Sequence, residues 1–205
     1  MKSPASLTNG NLVIRPYTND DAPSLYDAAR ESIETVGRWM PWCHPGYSAR
    51  ESEEWIALCQ SHWADGVEFE FGIFGVDSNE LWGGTGINQV NRMHNFGNLG
   101  YWVRASRTRQ GVASTAAWLA ARFAFLELEL SRVEIVAAVG NFASRRVAEK
   151  LGAEFECVAR NRLRVKGRLL DAAVYSLVPS DVLRMNRPLG VPRQLAAPAR
   201  KNEGG

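Results

Sequence analysis

Cysteine and histidine are scarce in this 205-residue chain, at three of each. Cys43, Cys59 and Cys157 are odd in number and far apart. That excludes a disulfide framework and reads as free thiols in a reducing compartment. Cys43-His44 lacks the further ligands a zinc site needs, so no metal is expected. Neighbours in sequence rarely face each other, so the pair does not read as a nucleophile with its base either. No stretch approaches the roughly 18 apolar residues of a membrane span. Residues 1–11 are polar and lack the apolar core of a signal peptide. The expectation is a cytoplasmic protein with no membrane partner. Charge of either sign is also nearly balanced, at a formal +2, which excludes nucleic-acid binding by bulk electrostatics. There are no internal repeats.

What is present is enough apolar material for one core: 45% of residues are hydrophobic and 22% charged. One domain over 1–186 is expected, with an aperiodic, Pro-, Ala- and Arg-containing tail over 187–205. Leu12-Val-Ile-Arg-Pro16 reads as a short strand stopped by proline. Asp20-Asp21-Ala-Pro23 opens a helix, and 52–63 reads as a second helix with Trp55, Ile56 and Cys59 on one face. Between them, 36–47 is an aromatic-rich loop. The period then changes to two. Strands are expected over 68–74, 81–90 and 96–103, the first pair joined by the turn Asp77-Ser-Asn-Glu80. A helix over 112–128 follows, then a buried strand over 132–139 and a helix over 141–151 stopped by Gly152. Two last strands, 155–160 and 169–178, join through Lys166-Gly167. The sum is a mixed α/β fold whose sheet has about seven strands.

The densest signal is Arg107-Thr-Arg-Gln-Gly-Val-Ala-Ser-Thr115. It links a strand to a long apolar helix through a short basic loop with one glycine. The first N–H groups of a helix have no partner inside it, and the helix dipole favours an anion there. The loop therefore predicts a ligand held by its pyrophosphate. A nucleoside-triphosphate enzyme is disfavoured, because the loop lacks Gly-Lys-Ser/Thr and no Mg²⁺ ligands lie nearby.

Four segments in order resemble the GNAT family of acetyl-CoA-dependent N-acetyltransferases, and within it the RimL/RimJ branch. They are Leu12-Val-Ile-Arg-Pro16, Leu99-Gly-Tyr-Trp-Val103, Gln110-Gly-Val-Ala113 and Asn141-Phe-Ala-Ser-Arg-Arg-Val-Ala-Glu-Lys-Leu-Gly152. The resemblance runs over 12–181 and implies a GNAT-like, mostly antiparallel sheet flanked by helices, with acetyl-CoA as co-substrate. The family's phosphate loop is usually Q/R-x-x-G-x-G/A, whereas this chain has Thr108 at the first position and Arg109 at a common glycine. By the resemblance, the backbone around Arg109, Gln110, Gly111, Val112, Ala113 and Ser114 would hold the pyrophosphate, with cationic character from Arg107. Tyr101, Trp102 and Val103 would meet the pantetheine arm and acetyl group, with an N–H near Trp102 or Val103 as oxyanion donor. Asn141 is both an ordinary N-cap and a pantetheine contact in the family. Ser144 matches the position of the RimL-branch serine that protonates the departing thiolate. The tyrosine used by many other members is Ala148 here. Arg146, with Arg145 and Lys150, would meet the 3′-phosphate or form a solvated face.

The glutamate that serves many members as base is Asn98 in this chain. Glu68 and Glu70, on the neighbouring strand, and His94 are the alternatives. Keeping an α-amine (pKa near 8) neutral around pH 7.5 costs under ~1 kcal/mol, against roughly 4 kcal/mol for a lysine amine. The expected acceptor is therefore a protein N-terminal α-amine. Small amines remain open, as does a non-catalytic acyl-CoA sensor. Its pocket would come from the loop with Trp39, Trp42 and Tyr47, from the second helix, and from 160–168. Direct attack on the thioester is expected, and the resemblance allows a homodimer.

Overall fold

The computed structural model describes residues 6–183, so the tail expected over 187–205 lies outside the described residues. Eight strands form one sheet, in the order β1-β2-β3-β4-β5-β6-β8-β7. The strands are β1 (Leu7–Asn9), β2 (Leu12–Arg15), β3 (Phe69–Gly75), β4 (Leu81–Asn91), β5 (Phe96–Val103), β6 (Arg132–Ala138), β7 (Glu154–Val165) and β8 (Arg168–Leu177). The helices are α1 (Ala22–Glu31), α2 (Ala49–Asp65), α3 (Val112–Leu126), α4 (Phe142–Lys150) and α5 (Pro179–Leu183). The eighth strand, beyond the seven expected, is β1. It is a three-residue edge piece turned back on β2 at Gly10, too short and polar for a period-two signal. No helix of the described residues is long and apolar enough to cross a membrane.

Local chemistry sets the element ends. α2 starts three residues before the expected 52, because Ser48 and Glu51 close a capping box. It stops at Gly66, whose φ of 68° suits glycine. The stretch expected as a loop over 160–168 is mostly strand: β7 runs to Val165 and turns through Lys166 and Gly167 into β8.

Alternation gives the central strands two unlike faces. One carries Phe69, Phe71, Ile73 and Leu99, all buried. It packs on α3, whose buried alanines let the helix lie close to the sheet while Phe123 joins the Trp63–Phe69–Phe71 ring cluster. The other face is bare by comparison. Across it, Glu70 pairs with Gly86 and Gly86 with Gly100, while Gly72 pairs with Gly84 and Gly84 with Trp102. α1 and α2 cover this face through Leu25, Ile56 and Cys59.

All neighbouring strands are antiparallel except β5 and β6, which are parallel with α3 as their crossover. They pair only from Phe96–Arg132 to Asn98–Glu134. Beyond that point β6 continues against β8, through Val136–Val174 to Ala138–Ala172, and has no further partner on β5. The sheet therefore parts in its middle, between 99–103 and the end of β6.

Candidate active site

Two clefts meet at the parting, and Met40, Tyr101 and Trp102 line both. The first, of about 540 Å³, lies against the starts of α3 and α4. Gly111 is the N-cap of α3 at φ 81°, and Arg109 is also left-handed at φ 61°. The first bond of that helix, from Thr115 N–H to the Gly111 carbonyl at 3.0 Å, leaves the amides of Val112, Ala113 and Ser114 at its open end. A Cβ on Gly111 would meet nothing within 4 Å, so its left-handed backbone is the reason for glycine here. Arg107, Arg109, Arg146 and Lys150 line this cleft, and no Asp or Glu does among the described residues.

Individual side chains there depart from expectation. Arg107 is not a free cation: it pairs with Glu80 and lies 4.9 Å from the Trp82 ring, while its Nε is buried without a partner. Gln110 turns back to the Ser106 carbonyl at 3.0 Å and does not line the cleft. Ser114 Oγ donates to the Gly111 carbonyl at 2.9 Å. Arg145 points away, to Tyr175 Oη and the Val139 carbonyl. Asn141 caps α4, its Oδ1 accepting from Ser144 N–H at 3.2 Å, and also faces the cleft. Tyr101 Oη donates to the Ser144 carbonyl at 2.9 Å and lies 3.1 Å from Ser144 Oγ. Burial pushes the Tyr101 phenol well up, so it stays a neutral donor. Arg104 N–H bonds Trp82 O on β4 at 2.9 Å. By the two-residue alternation, Tyr101 and Val103 amides then face the parting and that of Trp102 faces β4.

The second cleft, of about 480 Å³, lies over the glycine face of the sheet. Trp42, Tyr47 and Trp55 wall it; Trp39, expected beside them, lines the first cleft instead. Glu51, Glu54 and Glu70 line it, and no Lys, Arg or His does among the described residues. Glu51 and Glu54 are rim groups engaged with His44 and Arg50, whereas Glu70 lies deep. Burial pushes its carboxyl up to about 6, against a hydrogen bond from Asn88 that pulls it down. Asn88 Nδ2 donates to Oε1 at 3.0 Å, and Asn98 Nδ2 donates to Asn88 Oδ1 at 2.8 Å. The other oxygen lies over Gly86, where a Cβ would stand 2.2 Å from Oε2.

Of the carboxylates weighed from sequence, only Glu70 is in the cleft. Glu68 pairs with His62 at 2.9 Å and lines neither cleft. His94 is exposed in the β4–β5 turn. The 160–168 stretch contributes nothing to either lining. Tyr17 and Asn88 line the second cleft without having been singled out.

A sheet parted beside a cationic helix start, with a carboxylate on the far side of the gap, is an arrangement that suits a phosphate-bearing ligand on one side and an amine on the other. The chain belongs to the acetyltransferase (GNAT) domain family, whose model matches residues 11–154. It is 30% identical over 174 residues to a Bacillus subtilis (strain 168) protein named "Putative ribosomal N-acetyltransferase YdaF", covering 84% of this chain and 94% of that one. A Vibrio cholerae structure titled as a "putative ribosomal-protein-serine acetyltransferase" superposes with TM-score 0.77 at 31% identity, over 87% of this chain and all of that one. RimL, a ribosomal L7/L12 alpha-N-protein acetyltransferase solved with coenzyme A, shares the fold at TM-score 0.78 and 19% identity, over 85% and 98%. The protein is a GNAT-type acetyltransferase of the RimL-like branch.

Proposed function

We propose that the chain transfers the acetyl group of acetyl-CoA to the α-amine of a protein N-terminus. The observation that carries this is the charge division across the parting, with Arg109, Arg146, Lys150 and helix-start amides on one side and, among the described residues, carboxylates without a cation on the other. The first cleft suits a pyrophosphate and a 3′-phosphate, and the orphaned Arg107 Nε adds a buried donor that such a ligand can satisfy. The second suits an ammonium ion. The names of relatives that act on ribosomal proteins support a protein acceptor.

In this reading Glu70 Oε2 takes a proton from the incoming ammonium. The freed amine attacks the thioester carbon through the gap beside Tyr101. A Tyr101 or Val103 amide meets the oxyanion that forms. The C–N bond forms and the C–S bond breaks; Ser144 Oγ passes its proton to the departing thiolate and takes in its place the second N–H proton of the attacking nitrogen, which leaves a neutral amide, a free thiol and one proton on Glu70. Tyr101 Oη holds Ser144 in place at 3.1 Å. An α-amine asks little of a base whose own pKa is about 6, whereas a lysine amine lies some four units above it.

The test is thiol release from acetyl-CoA against Ser- and Ala-starting peptides, an N-blocked lysine peptide and small amines. Turnover of free N-termini supports the proposal. Turnover of small amines alone removes the protein acceptor. Acetyl-CoA binding with no turnover of any amine makes the chain an acyl-CoA sensor.

A further inference from the structure

Beside Glu70, on the same glycine face, two hydrogen-bond donors converge on one point. A Cβ on Gly84 would stand 2.5 Å from Trp102 Nε1 and 2.8 Å from Tyr17 Oη. Both residues line the acceptor cleft. Among the described residues neither atom has a hydrogen-bond partner. Tyr17 is 5% exposed, and burial pushes its phenol well above the ordinary value, so it is a neutral donor at any working pH. An indole N–H donates only, and both polar atoms reach the cleft, where a ligand oxygen can replace water on them. Two such groups aimed together into a cleft make a place for an oxygen atom.

We infer that Tyr17 Oη and Trp102 Nε1 bind the carbonyl oxygen of the acceptor's first residue, so that the site recognises an amine with a carbonyl on the next carbon. The spacing supports this choice. Gly84 and Gly86 are two residues apart on β4, about 7 Å along the strand. The donor pair stands over the first, and Glu70 Oε2 over the second. An N···O separation of about 3 Å within one residue, with a hydrogen bond of about 2.9 Å at each end, spans about 9 Å when straight and matches about 7 Å when bent at the two polar atoms. A lone alkylamine reaches Glu70 and leaves both donors unpaired. The inference deepens the proposed function, from which it takes the place of the amine.

The test compares alaninamide with isopropylamine, which keeps the branched carbon and lacks the carboxamide. The quantity read is the ratio of kcat/KM for the two in the wild-type protein, Tyr17→Phe and Trp102→Phe. Their different amine pKa values cancel when each variant is set against wild type. The ratio should fall about tenfold in each variant, and alaninamide should bind the CoA-loaded protein more weakly by a similar factor in a calorimetric titration. Tyr17→Phe deletes only a hydroxyl without a partner, so a general loss of fold would lower both acceptors in proportion. That outcome overturns the inference, as does equal binding of alaninamide to wild type and Tyr17→Phe. If wild type turns over neither amine yet binds alaninamide in a Tyr17-dependent way, the subsite stands and transfer to α-amines falls. If alaninamide is neither acetylated nor bound, both fall.

Discussion

Asn88 Nδ2 donates to Glu70 Oε1 at 3.0 Å, which fixes one carboxylate oxygen and leaves the other facing the acceptor cleft. Asn98, on β5, holds Asn88 through Nδ2 at 2.8 Å from its Oδ1. Asn98 on β5, Asn88 on β4 and Glu70 on β3 thus form one hydrogen-bonded row across three strands. Because a carboxylate must be ionised to accept a proton, kcat/KM should rise with unit slope through about pH 6. Glu70→Gln should remove that limb and lower kcat/KM by about 10²–10⁴-fold. The Asn88 hydrogen bond favours the charged form, so Asn88→Ala should move the limb to higher pH. A limb unmoved in both variants excludes Glu70 as the base.

The same carboxylate costs stability. Its pKa is about 6 in the fold against an ordinary 4.5, so the unfolded chain ionises first as pH rises. Stability is unaffected by this group below about 4.5, falls between 4.5 and 6, and stays lowered above. Glu70→Gln should therefore be more stable than wild type at pH 7.5 by about 2 kcal/mol and equal to it near pH 4. Urea unfolding at the two pH values checks this. A variant that is less stable at pH 7.5 contradicts the buried, raised carboxyl.

Gly86 leaves room for both Glu70 and the β3 backbone: its φ is not in the left-handed range, and a Cβ there would stand 2.2 Å from Glu70 Oε2 and 2.8 Å from the Phe69 carbonyl oxygen. Gly86→Ala places a methyl 2.2 Å from the present position of Oε2 and must displace it. Loss of about tenfold or more in kcat/KM is expected, with acetyl-CoA affinity within twofold of wild type. Parallel loss of acetyl-CoA affinity would show that the strand itself had shifted.

If Ser144 protonates the departing thiolate as proposed, Ser144→Ala should lower kcat by about 10–100-fold while the acetyl-CoA Kd changes little. Stopped-flow thiol release and equilibrium binding measure the two quantities separately. An unchanged kcat assigns Ser144 to the helix surface alone.

Residues adjacent in the chain were readable, and residues assembled across strands were not. Phe96–Val103, the helix from Val112 and the Asn141 cap follow from periodicity and capping chemistry, and they hold to within two residues of their expected ends. The candidate phosphate loop is nine consecutive residues, Arg107 to Thr115, and is legible for the same reason. The acceptor side depends on register: Glu70 beside Gly86, Gly84 beside Trp102, Asn88 beside Asn98. No local pattern reports such pairs. Two signals were nonetheless available. Ser48-Ala-Arg-Glu51 is a capping box that starts α2 early, and alternate glycines at 84 and 86 mark a strand whose surface something must approach. Arg107 misleads for the opposite reason, because Glu80, its ion-pair partner, sits 27 residues away in the β3–β4 turn region.

The acceptor cleft carries carboxylates and, among the described residues, no cation. Acetylation turns an ammonium ion into a neutral amide. The field that concentrates the free amine therefore has no grip on the finished product, and the chemical step itself cancels the attraction. On the proposed reading, the next ammonium arrives along an electrostatic gradient that the amide product does not feel.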